Sequence, residues 1–298
     1  MAKGHLARRA TGWILTLVLA YFVFIVALGF MQKRLMYFPD STRFVPSEWA
    51  LKEMEPAQAK TEDGLTITDW YRPAQARDKF TIVFFQGNAG HPGYRNYKFR
   101  PWLDAGYGLL IVGYRGFGNP GSPSEEGLYM DAQAAIEGLH KLGVPDKAMV
   151  FYGESMGTGV ATQMATEYGA AALILESPYT SVPDVGADRY PMVPVHFLLR
   201  DKYDSLSKIK DVHMPLLLLH GEMDQVVPIK FGKRLFEAAN EPKQAMYVPE
   251  AGHNDVYNLR VQEAILSFLS KLPTDPLLDI KPPENIAPAP ETDTVKAK

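Results

Sequence analysis

The chain has 298 residues, 46% of them hydrophobic and 11% aromatic, enough apolar material for one sizeable core. Its formal net charge is −3 with no long basic block, so electrostatics give no reason to expect a nucleic-acid partner. It has no cysteine, which excludes disulfides, thiolate zinc sites and a cysteine nucleophile.

No charged residue occurs from Thr11 to Gln32. The run "WILTLVLAYFVFIVALGFM", Trp13 to Met31, is long enough to cross a hydrocarbon core of about 30 Å. Residues 1–35 therefore read as an N-terminal transmembrane anchor, with residues 12–31 in the membrane. Lys3, Arg8 and Arg9 precede the run and Lys33 and Arg34 follow it. That balance slightly favours a cytoplasmic N-terminus and an extracytoplasmic body. The alternative is a cleaved signal peptide, with Ala27-Leu28-Gly29 as a small-x-small site. The apolar run continues past that site and exceeds an ordinary signal-peptide core, which favours a retained, single-pass anchor.

Residues 33–50 read as a connector broken by Pro39 and Pro46. Met54–Lys60 and Leu65–Tyr71 flank the turn signal Asp63-Gly64 and predict a hairpin. Short apolar runs follow: "FTIVFFQ", "GLLIVGY", "AMVFYG", "AALILES", "PLLLLHG" and "QAMYVP". Runs that do not alternate suit strands buried on both faces of a parallel sheet. Helical stretches separate them, over Arg95–Ala105, Pro123–Leu142, Met156–Tyr168, Lys230–Ala239 and Val256–Lys271. In the second of these, Ser122 is the expected N-cap, with Glu125 completing a capping box. Strand and helix alternate, so the fold class is α/β, with a mostly parallel sheet flanked by helices and preceded by an antiparallel hairpin. Residues 178–212 break the rhythm with four prolines and are expected to form a short lid insertion. From residue 273 to 298 the chain is rich in proline and charge and reads as a disordered tail.

Two glycine motifs compete for a function. "GFGNPG", Gly116–Gly121, satisfies the dinucleotide pattern G-x-G-x-x-G, but Pro120 removes a donor that a pyrophosphate would need. The acidic residue about 20 positions on, Glu137, falls inside a helix and not at a strand end. The motif reads as a turn-rich strand-to-helix loop. "GESMG", Gly153–Gly157, satisfies G-x-S-x-G and sits between a strand and a helix, the context a nucleophile elbow needs. Ser155 is the candidate nucleophile, and a serine hydroxyl needs a base.

In such a site acid and histidine follow the serine in that order. Among the seven histidines only His253, in "PEAGHND", lies beyond the next strand-end acid. That acid is Asp224 in "LLLLHGEMDQVVP", with Glu222 and Asp255 as runners-up and His220 read as structural support. The oxyanion needs two N–H donors. Met156, just after the serine, and Asn88 in "GNAGHPG" are the candidates, with Ala89 next after Asn88.

"FFQGNAGHPGYR", "GYRGFGNPGSPSEEGLYMDAQAA", "YGESMGTGVA", "LESPYTSVPDV", "LLRDKYDSLSKI", "LLLLHGEMDQVVP" and "GHND" together resemble serine α/β-hydrolases. The likeness covers about residues 36–272 and is greatest to a membrane-anchored branch that includes acyl-protein thioesterases and bacterial members of undefined substrate. It implies an α/β-hydrolase fold with an eight-stranded sheet. It carries the nucleophile to Ser155, the acid to Asp224, the base to His253 and the oxyanion donors to Asn88 and Met156. Two places depart from the pattern. Gln86-Gly87 stands where His-Gly is common, and Gly113-Tyr114-Arg115-Gly116 where Asp-Tyr-Arg-Gly is common.

The expected function is hydrolysis of a carboxylic ester or thioester, with a lipid or an acylated protein as partner and no cofactor or metal. A peptidase or acyltransferase using the same residues, and a non-catalytic membrane-tethered binding protein, are the alternatives. A monomer is expected.

Overall fold

The computed structural model describes residues 2–40, 42 and 44–274, so the expected tail lies outside them from residue 275 onward. Eight strands form one sheet: β1 (Glu55–Lys60), β2 (Thr66–Arg72), β3 (Thr81–Phe85), β4 (Gly108–Ile111), β5 (Met149–Glu154), β6 (Ala172–Glu176), β7 (Leu216–Gly221) and β8 (Lys243–Val248). Among the described residues nine α-helices accompany it: α1 (Ala2–Met36), α2 (Asn96–Asp104), α3 (Glu125–Lys141), α4 (Gly157–Glu167), α5 (Val182–Arg189), α6 (Val195–Leu198), α7 (Ser205–Lys208), α8 (Ile229–Ala238) and α9 (Leu259–Lys271). The spatial order is β1-β2-β4-β3-β5-β6-β7-β8, antiparallel through β2 and β4 and parallel thereafter.

The parallel strands read as unbroken apolar runs because both faces are covered. Along β3, Val83 and Phe85 point into the core shared with α3 and α4, while Ile82 and Phe84 point into the core shared with α2 and α9. β5 repeats this, with Met149 and Phe151 on the first side and Val150 and Tyr152 on the second. All eight of these side chains are fully buried, each contributing about 1.5–3 kcal/mol.

Two local elements differ from the sequence-based expectation. Helix α3 starts at Glu125, and its N-cap is Ser124, whose hydroxyl accepts from the Gly127 N–H at 3.2 Å, not Ser122. Pro123 stays outside the helix, and Glu125 accepts from the Tyr129 hydroxyl instead of closing a capping box. The hairpin loop spans Thr61–Leu65, held by Thr61 N–H to Leu65 O at 2.9 Å, so Asp63-Gly64 lies inside a longer turn. "GFGNPG" is a structural loop. Arg115 beside it is fixed by buried Asp131 and by Asp63, and Asn119 pairs with the Thr68 backbone as a further strand would.

Helix α1 contains a stretch, Thr11–Met36, long and apolar enough to cross a membrane. It runs past the expected connector boundary to Met36. There Phe38-Pro39 forms a two-residue parallel ladder with Ala89-Gly90.

Candidate active site

Ser155 stands between β5 and α4 with φ of +50°, a left-handed conformation that costs a non-glycine residue about 1–3 kcal/mol. The sharp turn is possible because its neighbours lack side chains. A Cβ on Gly153 would lie 2.6 Å from the Gly157 carbonyl oxygen, and one on Gly157 would lie 2.0 Å from the Phe85 carbonyl oxygen. Gly159, on α4, leaves room for a different contact. A Cβ there would meet the Tyr179 hydroxyl and Tyr203, which lie on the chain after β6.

The turn aims the Ser155 hydroxyl at His253. Nε2 of His253 is 2.8 Å from Ser155 Oγ, and Nδ1 is 2.7 Å from Asp224 Oδ2. With Nδ1–H donating to the carboxylate, Nε2 is left as acceptor for the serine proton. The other Asp224 oxygen accepts from the Val226 and Val227 N–H groups, each at 2.8 Å. Burial pushes the Asp224 carboxyl up, but the hydrogen bonds from His220 and His253 outweigh it and hold it well below the usual range. His220 is fully buried, with Nε2 at 2.8 Å from Val227 O and 3.5 Å from Asp224 Oδ2. The runners-up sit elsewhere. Glu222 is exposed, and Asp255 accepts from the Gly252 N–H at 2.7 Å, shaping the loop that carries His253.

Asn88 lines a cavity of about 280 Å³ together with Ser155 and His253. The loop carrying it lies against the elbow, since a Cβ on Gly87 would be 3.4 Å from Ser155 Cβ. Asn88 is held from the other side by the end of α1. Its Nδ2 donates to Met36 O and its carbonyl accepts from the Phe38 N–H, both at 2.8 Å. The Met156 side chain is buried, and its backbone opens the turn into α4.

Sequence reasoning missed the far wall of this cavity. Lys98, on α2, reaches Glu154 at 2.6 Å and both oxygens of Glu176 at 2.7 and 2.8 Å, and Tyr152 donates to Glu176. Arg95 donates from Nε to Glu154 at 2.8 Å. Burial alone would raise the Glu154 carboxyl, yet Lys98 and Arg95 bring it down to about 2. Burial would lower the Lys98 ammonium, but Glu154 and Glu176 hold it above its ordinary value. The available signal was an isolated charge in apolar surroundings: Glu176 ends "ALILE", and Lys98 sits among aromatics in "YKFRPW".

Residues 178–212 form α5, α6 and α7 and contribute no side chain to the cavity wall. Part of the segment runs along α1 instead. The Tyr21 hydroxyl donates to Met192 O at 2.6 Å, and the Arg200 N–H donates to Gln32 Oε1 at 2.8 Å. Tyr37 joins Asp201 and Tyr203 through its hydroxyl, at 2.9 and 2.8 Å.

Comparison with known proteins points the same way. The family described as serine aminopeptidase, S33, matches residues 76–205. The uncharacterized protein Rv2307c of Mycobacterium tuberculosis is 39% identical over 246 residues, covering 80% of this chain and 88% of that one. The uncharacterized protein YfhR of Escherichia coli K12 is 29% identical over 275 residues, covering 85% and 93%. Among solved structures, the Pyrococcus furiosus esterase Pf2001 superposes with a TM-score of 0.63 at 18% identity, covering 80% of this chain and 98% of its own. The esterase RhEst1 of Rhodococcus sp. ECU1013 gives 0.56 at 18%, covering 74% and 100%. At that identity the likeness concerns the fold alone. With the eight-stranded sheet described above, the matching family and the relative in M. tuberculosis, the chain belongs to the serine α/β-hydrolase superfamily.

Proposed function

We propose that this protein hydrolyses carboxylic esters or thioesters through an acyl-Ser155 intermediate. The observation that carries the reading is the continuous line Ser155 Oγ, His253 Nε2, His253 Nδ1, Asp224 Oδ2, with links of 2.8 and 2.7 Å. Ser155 Oγ attacks the acyl carbonyl carbon while His253 Nε2 takes its proton. Asp224 stabilises the imidazolium and keeps Nε2 facing the serine. The tetrahedral oxyanion accepts hydrogen bonds from the Met156 and Asn88 N–H groups, where loss of one donor typically costs about 10²–10³ in rate. His253 then protonates the leaving alcohol or thiol, and in the second half it activates water to release the acid.

The family description raises an aminopeptidase as a second reading. Such an enzyme needs an uncommitted anion for the substrate ammonium group. Glu154 and Glu176 stand at the cavity, but Lys98 and Arg95 already engage Glu154, and Lys98 with Tyr152 engages Glu176. Two cations against two carboxylates leave no net negative charge there, which favours the neutral acyl ester or thioester. Acyltransfer uses the same steps with another acceptor in place of water.

In the same proposal, α1 is a retained single-pass anchor that keeps the site close to lipid or acylated protein. The test is Ser155→Ala. It is expected to abolish turnover of p-nitrophenyl esters and acyl thioesters, and labelling by a fluorophosphonate probe. Labelling that survives the substitution would sink the assignment, and turnover of aminoacyl amides in preference to esters would favour the peptidase.

A further inference from the structure

We propose that Tyr190–Leu199 lies in the acyl-chain region of the bilayer that α1 crosses, so that this protein enters lipid through two elements. The proposal rests on α1 being a retained anchor.

The argument begins with register. A span needs about 20 apolar residues. Counting from Ala10, immediately after Arg9, such a span reaches Gly29. A span set further toward the N-terminus would draw Arg8 and Arg9 into hydrocarbon, which is costly. A span set further toward the C-terminus buries more of α1 beyond Gly29. In each case Tyr21 lies inside the membrane, about 12 Å from the Gly29 level at about 1.5 Å rise per residue. The insertion is fixed to α1 between these two levels. Met192 O takes the Tyr21 hydroxyl, and Leu198 packs into the notch left by Gly29, where a Cβ would be 3.1 Å from its Cδ1. On α1, Ile25, Leu28, Gly29, Gln32 and Met36 are less exposed than their neighbours, a stripe at helical spacing on one face. A segment held there shares the depth of α1.

The composition of the segment suits that depth. "YPMVPVHFLL" has no lysine, arginine or carboxylate; its titratable side chains are Tyr190 and His196, and charges border it at Asp188, Arg189, Arg200, Asp201 and Lys202. Three of its large side chains face outward, Tyr190, Met192 and Phe197, with Met192 79% and Phe197 94% exposed. On α1, Phe30 is 86% exposed. Non-helical backbone survives in hydrocarbon only where its polar groups are bonded. Pro191 and Pro194 have no N–H, and six of the other eight residues, Tyr190, Val193, Val195, Phe197, Leu198 and Leu199, donate theirs to carbonyls, which leaves only the N–H groups of Met192 and His196 in this segment. The Tyr21 hydroxyl, a polar group in the middle of an apolar helix, is satisfied by the same contact.

The natural chain has no cysteine, so single-cysteine labelling is clean. Full-length Met192→Cys, Phe197→Cys, Leu19→Cys and Glu263→Cys, each carrying a bimane fluorophore, would be reconstituted in phosphatidylcholine vesicles containing lipids with a nitroxide on the acyl chain. The two insertion variants are expected to be quenched by a factor close to that of Leu19→Cys and well above that of Glu263→Cys. Quenching of Leu19→Cys with Met192→Cys and Phe197→Cys at the Glu263→Cys level would overturn the proposal and leave the anchor intact. Insertion positions that resist both lipid quenchers and water-soluble maleimide would mean a protein partner covers them, which also overturns it. An unquenched Leu19→Cys would remove the anchor reading and the proposal with it.

Discussion

Ser155 stands between two hydrogen-bonded systems that differ in one respect. On one side, Asp224 and His253 form an open chain that ends on the serine hydroxyl at 2.8 Å, with a face toward the cavity. On the other, Lys98, Arg95, Glu154, Glu176 and Tyr152 form a closed network in which each carboxylate meets a cation. A proton can be passed along an open chain because its last member has somewhere to send it. A closed, charge-balanced network has no vacant partner, and its physical effect is to fix positions. The first system is therefore expected to respond to mutation in rate and the second in stability.

The largest test of that division is Asp224→Asn. With His253 left in the wrong tautomer, kcat should fall by about 10⁴ while the melting temperature moves little. A similar loss of both would erase the distinction. Next comes Lys98→Met, which leaves buried Glu176 without its cation and half-buried Glu154 with Arg95 alone, and should cost about 3–5 kcal/mol of stability. The pH dependence follows from Glu154, lowered from 4.5 to about 2. A depressed carboxyl contributes stability that is complete above its unfolded value and is lost as pH falls through the folded one. Thermal stability should therefore decline between about pH 4.5 and about pH 2, and this slope should shrink in Lys98→Met. A slope unchanged by the substitution would place the acid sensitivity elsewhere. The smallest effect concerns the hydrogen bond from Asn88 to Met36 O. Asn88→Ala keeps the backbone N–H but removes about 1 kcal/mol of support from its loop, so kcat should drop roughly fivefold with KM unchanged.

The open chain was the more legible of the two systems. Its residues occur in short motifs whose order and strand-end positions carry meaning, so Ser155, Asp224 and His253 could be selected from sequence and stand adjacent in space. The sheet was legible for a similar reason, since runs such as "TIVFF" are apolar only because both faces are covered. The closed network was not, because its partners are 56 and 78 residues apart and nothing in a hydropathy pattern says which buried cation meets which carboxylate. The N-cap of α3 failed on a finer scale. Two serines flank Pro123, and only the direction of the backbone decides which hydroxyl reaches the first turn. The insertion was legible as an interruption, but its packing against α1 depends on a notch at Gly29 and a tyrosine in an apolar run.

The end of α1 is tied to the loop beside Ser155. The chain leaving α1 is bonded on both sides of its turn to Asn88, through Met36 O and the Phe38 N–H, so the helix is coupled directly to the loop facing Ser155. A helix longer than the local hydrocarbon thickness responds by tilting. Where α1 crosses a bilayer, that tilt acts as a lever whose short arm ends at the loop. Turnover of a soluble ester by the reconstituted full chain should then vary with the acyl-chain length of the host lipid, and Asn88→Ala should blunt the variation. A host-lipid dependence identical in both forms would show the lever to be disconnected.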